Sequence, residues 1–292
     1  MKLLLTGVAG RIAHRVVEPL LEAGHEVRAV DRNYRPGLPV RLEVENLLEP
    51  TRAYHLLEGA EVLIHFANHS NQNSADAHTV YNENVVMNWN LFEAARALGL
   101  RHIIFASSIQ AMSGNRTVAE ADEKPSALAY LPADGDLPAV PGNYYALSKQ
   151  ASEHQLAYLV REFNMNCTAL RLPYIPTDLR RRNPFARHRQ PADTLSPRAT
   201  PDELFSFLPP MDVARLLVAL LEHPQEGFRI YLPASEGNYL GWPSDEIVNR
   251  FHRDVPQHKP IGPDTPLIDN SRITADTGWK PTPIDQLDPA TA

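Results

Sequence analysis

The chain has 292 residues, 43% of them hydrophobic, enough to bury one large α/β core and a smaller lobe. Its 35 acidic residues outnumber 28 Lys and Arg, for a formal net charge of −7, which argues against a nucleic-acid partner, since such binding is dominated by phosphate neutralisation. The one cysteine, Cys167, has no partner for an internal disulfide, and no apolar stretch is long enough to span a bilayer; with a core strand starting at Lys2, the expectation is a chain without a leader in a reducing cytoplasm.

Lys2–Thr6 reads as a buried parallel strand, and Gly7-Val8-Ala9-Gly10-Arg11-Ile12-Ala13 follows at once. Gly7 permits a tight turn and Gly10 a close approach of a pyrophosphate to the backbone, while Ala13 stands where only close helix packing is needed. A helix is expected over residues 11–23, kinked at Pro19, with its N-terminus offering unpaired N–H groups. The next strand, residues 26–30, ends in Asp31, at the distance expected of an acid that accepts hydrogen bonds from an adenosine ribose. This favours NAD, although Arg32 and Arg35 are able to embrace a 2′-phosphate, so NADP stays open. Helices are expected over residues 47–57, 81–98 and 144–163, and strands over 62–66, 102–107 and 166–172. This alternation predicts a doubly wound parallel sheet.

Beyond Arg171 the pattern becomes irregular until a helix over residues 211–221 and a strand over 228–232. Four prolines precede Lys124 and twenty-two follow from Pro125 onward, so loops should concentrate in the second half. The expected division is a dinucleotide domain over residues 1–172, completed by 209–232, and a substrate lobe over 173–208 and 233–292.

Within Asn143-Tyr144-Tyr145-Ala146-Leu147-Ser148-Lys149, Tyr145 and Lys149 stand at i, i+4, on one helix face. A phenol with a pKa near ~10 is a poor base at neutral pH, and lowering it by about three units needs roughly 4 kcal/mol. One lysine in water does not provide that; an oxidised nicotinamide beside it adds the second positive group.

These residues together resemble an extended short-chain dehydrogenase/reductase of the NAD-dependent epimerase/dehydratase type, over nearly the whole chain. Thr6–Ala13 resembles the family's cofactor loop, and Ile64-His65-Phe66-Ala67-Asn68 the strand end that passes under the cofactor. Glu45-Asn46-Leu47 stands where the family has an aspartate and leucine at the adenine. The stretch from Asn84-Val85-Val86 resembles the long helix carrying the family's asparagine, and His102–Ser108 the strand of the catalytic serine. Asp269–Arg272 and Gly278–Pro281 resemble the closing helix and turn. The resemblance implies a Rossmann-type fold in which Ser108, Tyr145 and Lys149 are catalytic: Tyr145 exchanges the proton, Ser108 holds the substrate oxygen, and Lys149 lowers the phenol pKa and reaches the nicotinamide ribose. It implies cofactor contacts from Gly7, Ala9, Gly10, Arg11, Ile12, Asp31, Arg32, Asn46, Leu47, Phe66, Ala67, Asn84, Ala106, Tyr145, Lys149 and Pro173. Asn84 serves a proton relay or is a structural helix asparagine. Asn68, Ile109, Gln110, Tyr174 and Arg182 are candidates for substrate contact.

Departures from the family narrow the chemistry. Its dehydratases carry an acidic pair after the catalytic hydroxyl residue; here Ile109-Gln110 follow Ser108, which disfavours dehydration. Tyr174 stands where nucleotide-sugar members have an asparagine directed at the diphosphate, and near Phe205-Ser206-Phe207 there is no arginine in the place where they have one, so the pattern is closer to relatives that oxidise free sugars or uronic acids. The expected activity is hydride transfer at a secondary alcohol or ketone of a sugar-like substrate. Alternatives are an epimerase that retains its NAD and a non-catalytic dinucleotide sensor. Arg180-Arg181-Arg182, with Arg187 and Arg189, is either an anion clamp or a solvated basic loop. His65 and His69 do not share a helix face, so no metal site is expected. Asp269 and Ser271 are read as helix caps and Trp279 as a core plug. A homodimer is expected from the family's pairing of the helices at 81–98 and 144–163, with Trp89, Phe92, Leu156 and Leu159 as their large apolar residues.

Overall fold

The computed structural model describes residues 1–176 and 189–287. Seven strands form one sheet in the order β3-β2-β1-β4-β5-β6-β7, where β1 is Lys2–Thr6, β2 Glu26–Asp31, β3 Leu42–Val44, β4 Val62–His65, β5 His102–Ser108, β6 Asn166–Leu172 and β7 Phe228–Tyr231. β1 pairs in parallel with β2 and β4, β2 with β3, and β4 with β5. The chain moves outward from β1 to β3, then returns to the other side of β1 at β4. The crevice beyond the carboxyl ends of β1 and β4 is therefore the switch point at which doubly wound sheets bind ligands.

The helices are α1 (Val17–Glu22), α2 (Pro50–Leu57), α3 (Ala77–Ala97), α4 (Tyr144–Phe163), α5 (Pro210–Glu222), α6 (Ser244–Phe251) and α7 (Ser271–Thr277). The helix expected over residues 11–23 is instead a 3-10 turn at Ala13–Arg15 followed by the six-residue α1. Pro19 accounts for this: it lacks an N–H, and its ring would strike the carbonyl four residues back, so it is accommodated only in the first turn of a helix that starts late. Conversely, α3 starts four residues earlier than expected. Asp76 caps it, its carboxylate accepting from the N–H groups of His78 and Thr79. At α7 the cap position belongs to Asn270, while Asp269 accepts from the Ser271 N–H at 2.8 Å.

The chain divides into two compact units. The first holds residues 1–107, 144–170 and 213–230; the second holds 108–143, 171–212 and 231–292. The core of the first joins Leu4, Val30, Leu63, Leu91, Phe92, Ile103, Phe105, Leu156 and Leu159, with Met165 and Cys167. Burial pushes the Cys167 thiol up to about 12, the behaviour of an inert core residue. Residues 108–143, expected with the nucleotide domain, fall in the second unit. Ile109, Met112, Leu128, Leu131, Ala133 and Leu137 join Leu204, Phe205, Trp242 and Phe251 in one core, and the Leu131 and Ala133 N–H groups donate to Pro256 and Leu267.

Candidate active site

The turn after β1 is shaped by its glycines. Gly7 has φ +77°, and a Cβ there would lie 2.6 Å from Ala67 N and 2.7 Å from Phe66 C, at the end of β4. A Cβ on Gly10 would meet the Gly7 carbonyl oxygen at 2.9 Å. Gly7→Ala is expected to cost on the order of 3 kcal/mol, from a left-handed conformation and a backbone clash together; thermal unfolding of wild type and variant, with and without dinucleotide, measures it.

The loop is held by its own side of the sheet. Gly7 N–H donates to Val30 O and Gly10 N–H to Gly7 O, and Ala9 N–H donates to Asp31 Oδ2 at 3.0 Å. Asp31 also accepts from Asn33 N–H, yet each carboxylate oxygen keeps further lone pairs for a ligand hydroxyl. Among the described residues nothing accepts from the backbone N–H groups of Arg11 and Ile12, which leaves two adjacent donors at the loop's outer edge. With α1 so short, these donors, rather than a helix dipole, are what the loop offers an anion. Arg35 donates to Ala9 O, and Arg32 lies 3.8 Å from Glu83. Asn46 is exposed and turns its Oδ1 to the Leu48 N–H, whereas Leu47 is buried in the core.

Beyond the carboxyl ends of the same sheet, β4, β5, α3 and α4 converge on Lys149. Its side chain is 3% exposed, with Nζ donating to Asn68 Oδ1 at 2.6 Å and to Ala106 O at 2.8 Å. The ammonium lies 4.7 Å from the Phe105 ring centroid and 5.6 Å from that of Tyr145, within cation–π range of both. Desolvation lowers the Lys149 pKa to about 7, against a raising contribution from Glu153. Tyr145 is 8% exposed. The neighbouring Tyr144 directs its hydroxyl to Gln72 O, so only Tyr145 is placed against the lysine. Ser107 is likewise spent, donating to Glu153 Oε1 at 2.6 Å.

The Lys149 shift has a thermodynamic signature. Between about pH 7 and 10.5 the unfolded chain keeps the proton that the folded chain has released, so stability rises with pH in that window and is flat below it. Relative to Lys149→Met, wild type is expected to gain up to ~1.4 kcal/mol per pH unit there, measured by chemical denaturation at several pH values.

Other expected site residues are distributed as follows. Phe66 and Ala67 are half-buried beyond β4. Asn84 is fully buried, with Nδ2 donating to Ser148 Oγ at 3.0 Å and Oδ1 accepting from His69 N–H at 2.7 Å, which ties α3 to α4 and to the β4 loop. Ser108, Ile109, Gln110, Pro173 and Tyr174 fall in the second unit. There Ser108 Oγ accepts from Gln110 N–H at 3.2 Å, and Gln110 Oε1 accepts from Asn143. Ile109 is 2% exposed and part of that unit's core. Tyr174 packs edge-on against Tyr239. Arg182 lies outside the described residues, as do Arg180, Arg181 and Arg187; Arg189 pairs with Glu246 at 2.7 Å. Of the residues named for the dimer surface, Phe92, Leu156 and Leu159 are core and fully buried; the apolar residues exposed on α3 and α4 are Val86, Leu147, Tyr158 and Phe163.

Asn68, expected as a substrate contact, is the partner of Lys149. Behind it stand Asn88, Ser152 and His65, all buried; Asn88 and Ser152 escape sequence reasoning, as does Glu203 of the second unit. Glu203, whose carboxyl desolvation pushes up, takes hydrogen bonds from Thr200 and Gln110. None has a diagnostic spacing. No group of three or more His, Cys, Asp or Glu able to hold a metal ion occurs among the described residues, and no described helix is long and apolar enough to cross a membrane.

Comparison with known proteins places these features in a family. The chain is similar to a UDP-glucose 4-epimerase of Corynebacterium glutamicum, 27% identical over 181 residues, which are 59% of this chain and 50% of that protein. It is also similar to a uronate dehydrogenase of Pseudomonas syringae pv. tomato, 26% identical over 177 residues, 59% of this chain and 58% of that one. It thus spans about half the length of the curated relatives it matches. The fold is shared with the crystal structure of UDP-glucose 4-epimerase from Bifidobacterium longum in complex with NAD+ and UDP, at a TM-score of 0.70 and 20% identity, covering 100% of this chain and 97% of that one. With a family model matching residues 3–232, more than half of its length, the chain belongs to the NAD dependent epimerase/dehydratase family.

Proposed function

We propose that the protein is an NAD(P)-dependent oxidoreductase that transfers hydride at a secondary alcohol or ketone of a sugar or sugar acid. The observation that carries this reading is the buried Lys149 ammonium held against the Tyr145 ring by Asn68 and the Ala106 carbonyl. Its residues fit a dinucleotide: the open N–H groups of Arg11 and Ile12 suit the pyrophosphate, Asp31 the adenosine ribose hydroxyls, and Lys149 the nicotinamide ribose. Asp31, facing the glycine loop, repels a 2′-phosphate and favours NAD. When bound, the cofactor supplies the hydride acceptor or donor and a positive ring. Tyr145 then exchanges the hydroxyl proton as general acid/base, Lys149 holds the phenol's pKa down, and Ser108 donates to the developing alkoxide.

The corynebacterial and pseudomonad relatives favour a sugar-like substrate. The lack of an arginine in the sequence beside the buried Phe205 and Phe207 favours a free sugar or uronic acid over a nucleotide sugar. Carbohydrate metabolism in the cytoplasm is the corresponding setting, and a homodimer through α3 and α4 is part of the reading, supported by the exposed Val86, Leu147, Tyr158 and Phe163; light scattering at subunit mass removes it. A panel of free sugars, uronic acids and nucleotide sugars with NAD and NADP, followed by absorbance of the reduced cofactor, tests the activity. Reduction in a free-sugar or uronic-acid well with NAD is expected. No reduction in any well, with NAD retained through purification, favours the epimerase instead.

A further inference from the structure

Lys149 does not rest on a charged partner. Its contact to Asn68 is to one end of an amide whose two ends are chemically different, and which end faces the ammonium decides whether the contact attracts or repels. A chain of buried hydrogen bonds within the first unit fixes that orientation. It begins on the backbone: Thr6 Oγ1 accepts from the N–H groups of Phe66 and Ala67, at 3.2 and 3.1 Å. With its lone pairs so occupied, the hydroxyl proton is directed at His65 Nδ1, 2.6 Å away.

His65 is completely buried, and desolvation pushes its pKa down to about 3, so the ring is neutral and carries its single proton on Nε2. That N–H donates to Asn88 Oδ1 at 2.7 Å, which turns Asn88 Nδ2 to Ser152 Oγ at 2.6 Å; Ser152 passes its own proton to Ser148 O. Asn88 Oδ1 also accepts from Asn68 Nδ2 at 2.6 Å, and a second Asn68 donor contact goes to Ala67 O. The three contacts of the Asn68 nitrogen, to Asn88 Oδ1, Ala67 O and Met87 Sδ, are all to acceptors, so Oδ1 is the end left for Lys149. Each orientation follows from the one before it.

We propose that Asn68 is a positioning residue for Lys149, turned oxygen-first toward the ammonium by the ordered chain Thr6–His65–Asn88. The inference rests on the redox reading for its purpose, since a lysine that must stay charged beside Tyr145 needs an acceptor that is never presented backwards. Charged or titratable groups facing Lys149 are Tyr145 and Glu153 on α4 and His65 on β4; the contacts from β5 and α3 come from uncharged groups, Ala106 O, Phe105 and, through Asn68, Asn88.

The test is the titration of Lys149 itself, read by NMR in cofactor-free protein whose lysines carry ¹³C at Cε, a label that leaves the Nζ–H donors in place. The chain has only five lysines, and Lys149→Met identifies the signal. Asn68→Asp, of the same shape, is expected to raise the midpoint by about one unit or more, since the acceptor gains a full charge. Asn68→Leu is expected to lower it. His65→Phe, at a ring whose hydrogen bonds go to Thr6 and Asn88 rather than to Lys149 or Asn68, is expected to lower it too by freeing the amide to turn, and His65→Gln, able to donate and accept in the same places, to restore it. Unmoved midpoints in both Asn68 variants overturn the proposal, and a silent His65→Phe overturns the ordered chain. These outcomes do not depend on turnover: a moved midpoint without activity toward any sugar upholds the positioning and tells against the redox reading, whereas activity with unmoved midpoints does the reverse.

Discussion

Tyr145→Phe is expected to lower kcat by about 10²–10⁴-fold, the usual contribution of a positioned proton donor or acceptor, while dinucleotide affinity stays within about twofold. The ring and its packing are retained, and the backbone and carboxylate groups assigned to the dinucleotide are untouched. What is lost is the hydroxyl of the tyrosine whose ring lies against the buried ammonium. Tyr144→Phe is the matched control, because that hydroxyl is bonded to Gln72 O and turnover should hold within about twofold. Steady-state rates and a fluorescence titration with NAD, on both variants, measure the pair. If the Tyr145 variant turned over at the wild-type rate, the proton would have to pass elsewhere.

In the second unit the largest expected effect is on stability. Asp202 is fully buried and Arg116 nearly so, with guanidinium-to-carboxylate contacts of 2.5 and 3.2 Å. The same carboxylate accepts from Ser126 Oγ at 2.9 Å and from Ala127 N–H at 2.8 Å. His252 lies beside it, its pKa pushed down by burial to about 4, and so adds no charge at neutral pH. Asp202→Ala therefore leaves the Arg116 cation buried with no counter-charge, at an expected cost of about 3–5 kcal/mol. Replacing both members by apolar residues of similar size should recover much of that loss. Urea unfolding of the two single variants and the double variant decides it; losses that simply add in the double variant would mean that the pair is not coupled.

The sheet was readable because its strands are apolar runs buried on both faces, as in Leu3–Leu5 and Val62–Ile64, none more than 3% exposed. β3 escaped, since its three residues lie at the sheet's edge with none buried and no run announces it. Residues 108–143 carry no periodicity to show that they pack with the second unit; only long-range backbone bonds such as that from Ala133 N–H to Leu267 O reveal it. Within the site, Tyr145 and Lys149 were visible because helical spacing links them. Asn68 and Asn88, 20 residues apart on a loop and a helix, meet only once β4 and α3 are in place. A buried polar network is a property of the fold, and its members have no local signature.

The most direct measurement is a crystal structure of the protein soaked with NAD. The pyrophosphate is expected on the Arg11 and Ile12 N–H groups, the adenosine ribose on Asp31, and the nicotinamide ribose within hydrogen-bond reach of Lys149, its ring beside Tyr145. A dinucleotide bound with its nicotinamide away from Tyr145 and Lys149, or a crevice beyond β1 and β4 that takes up none, would contradict the account.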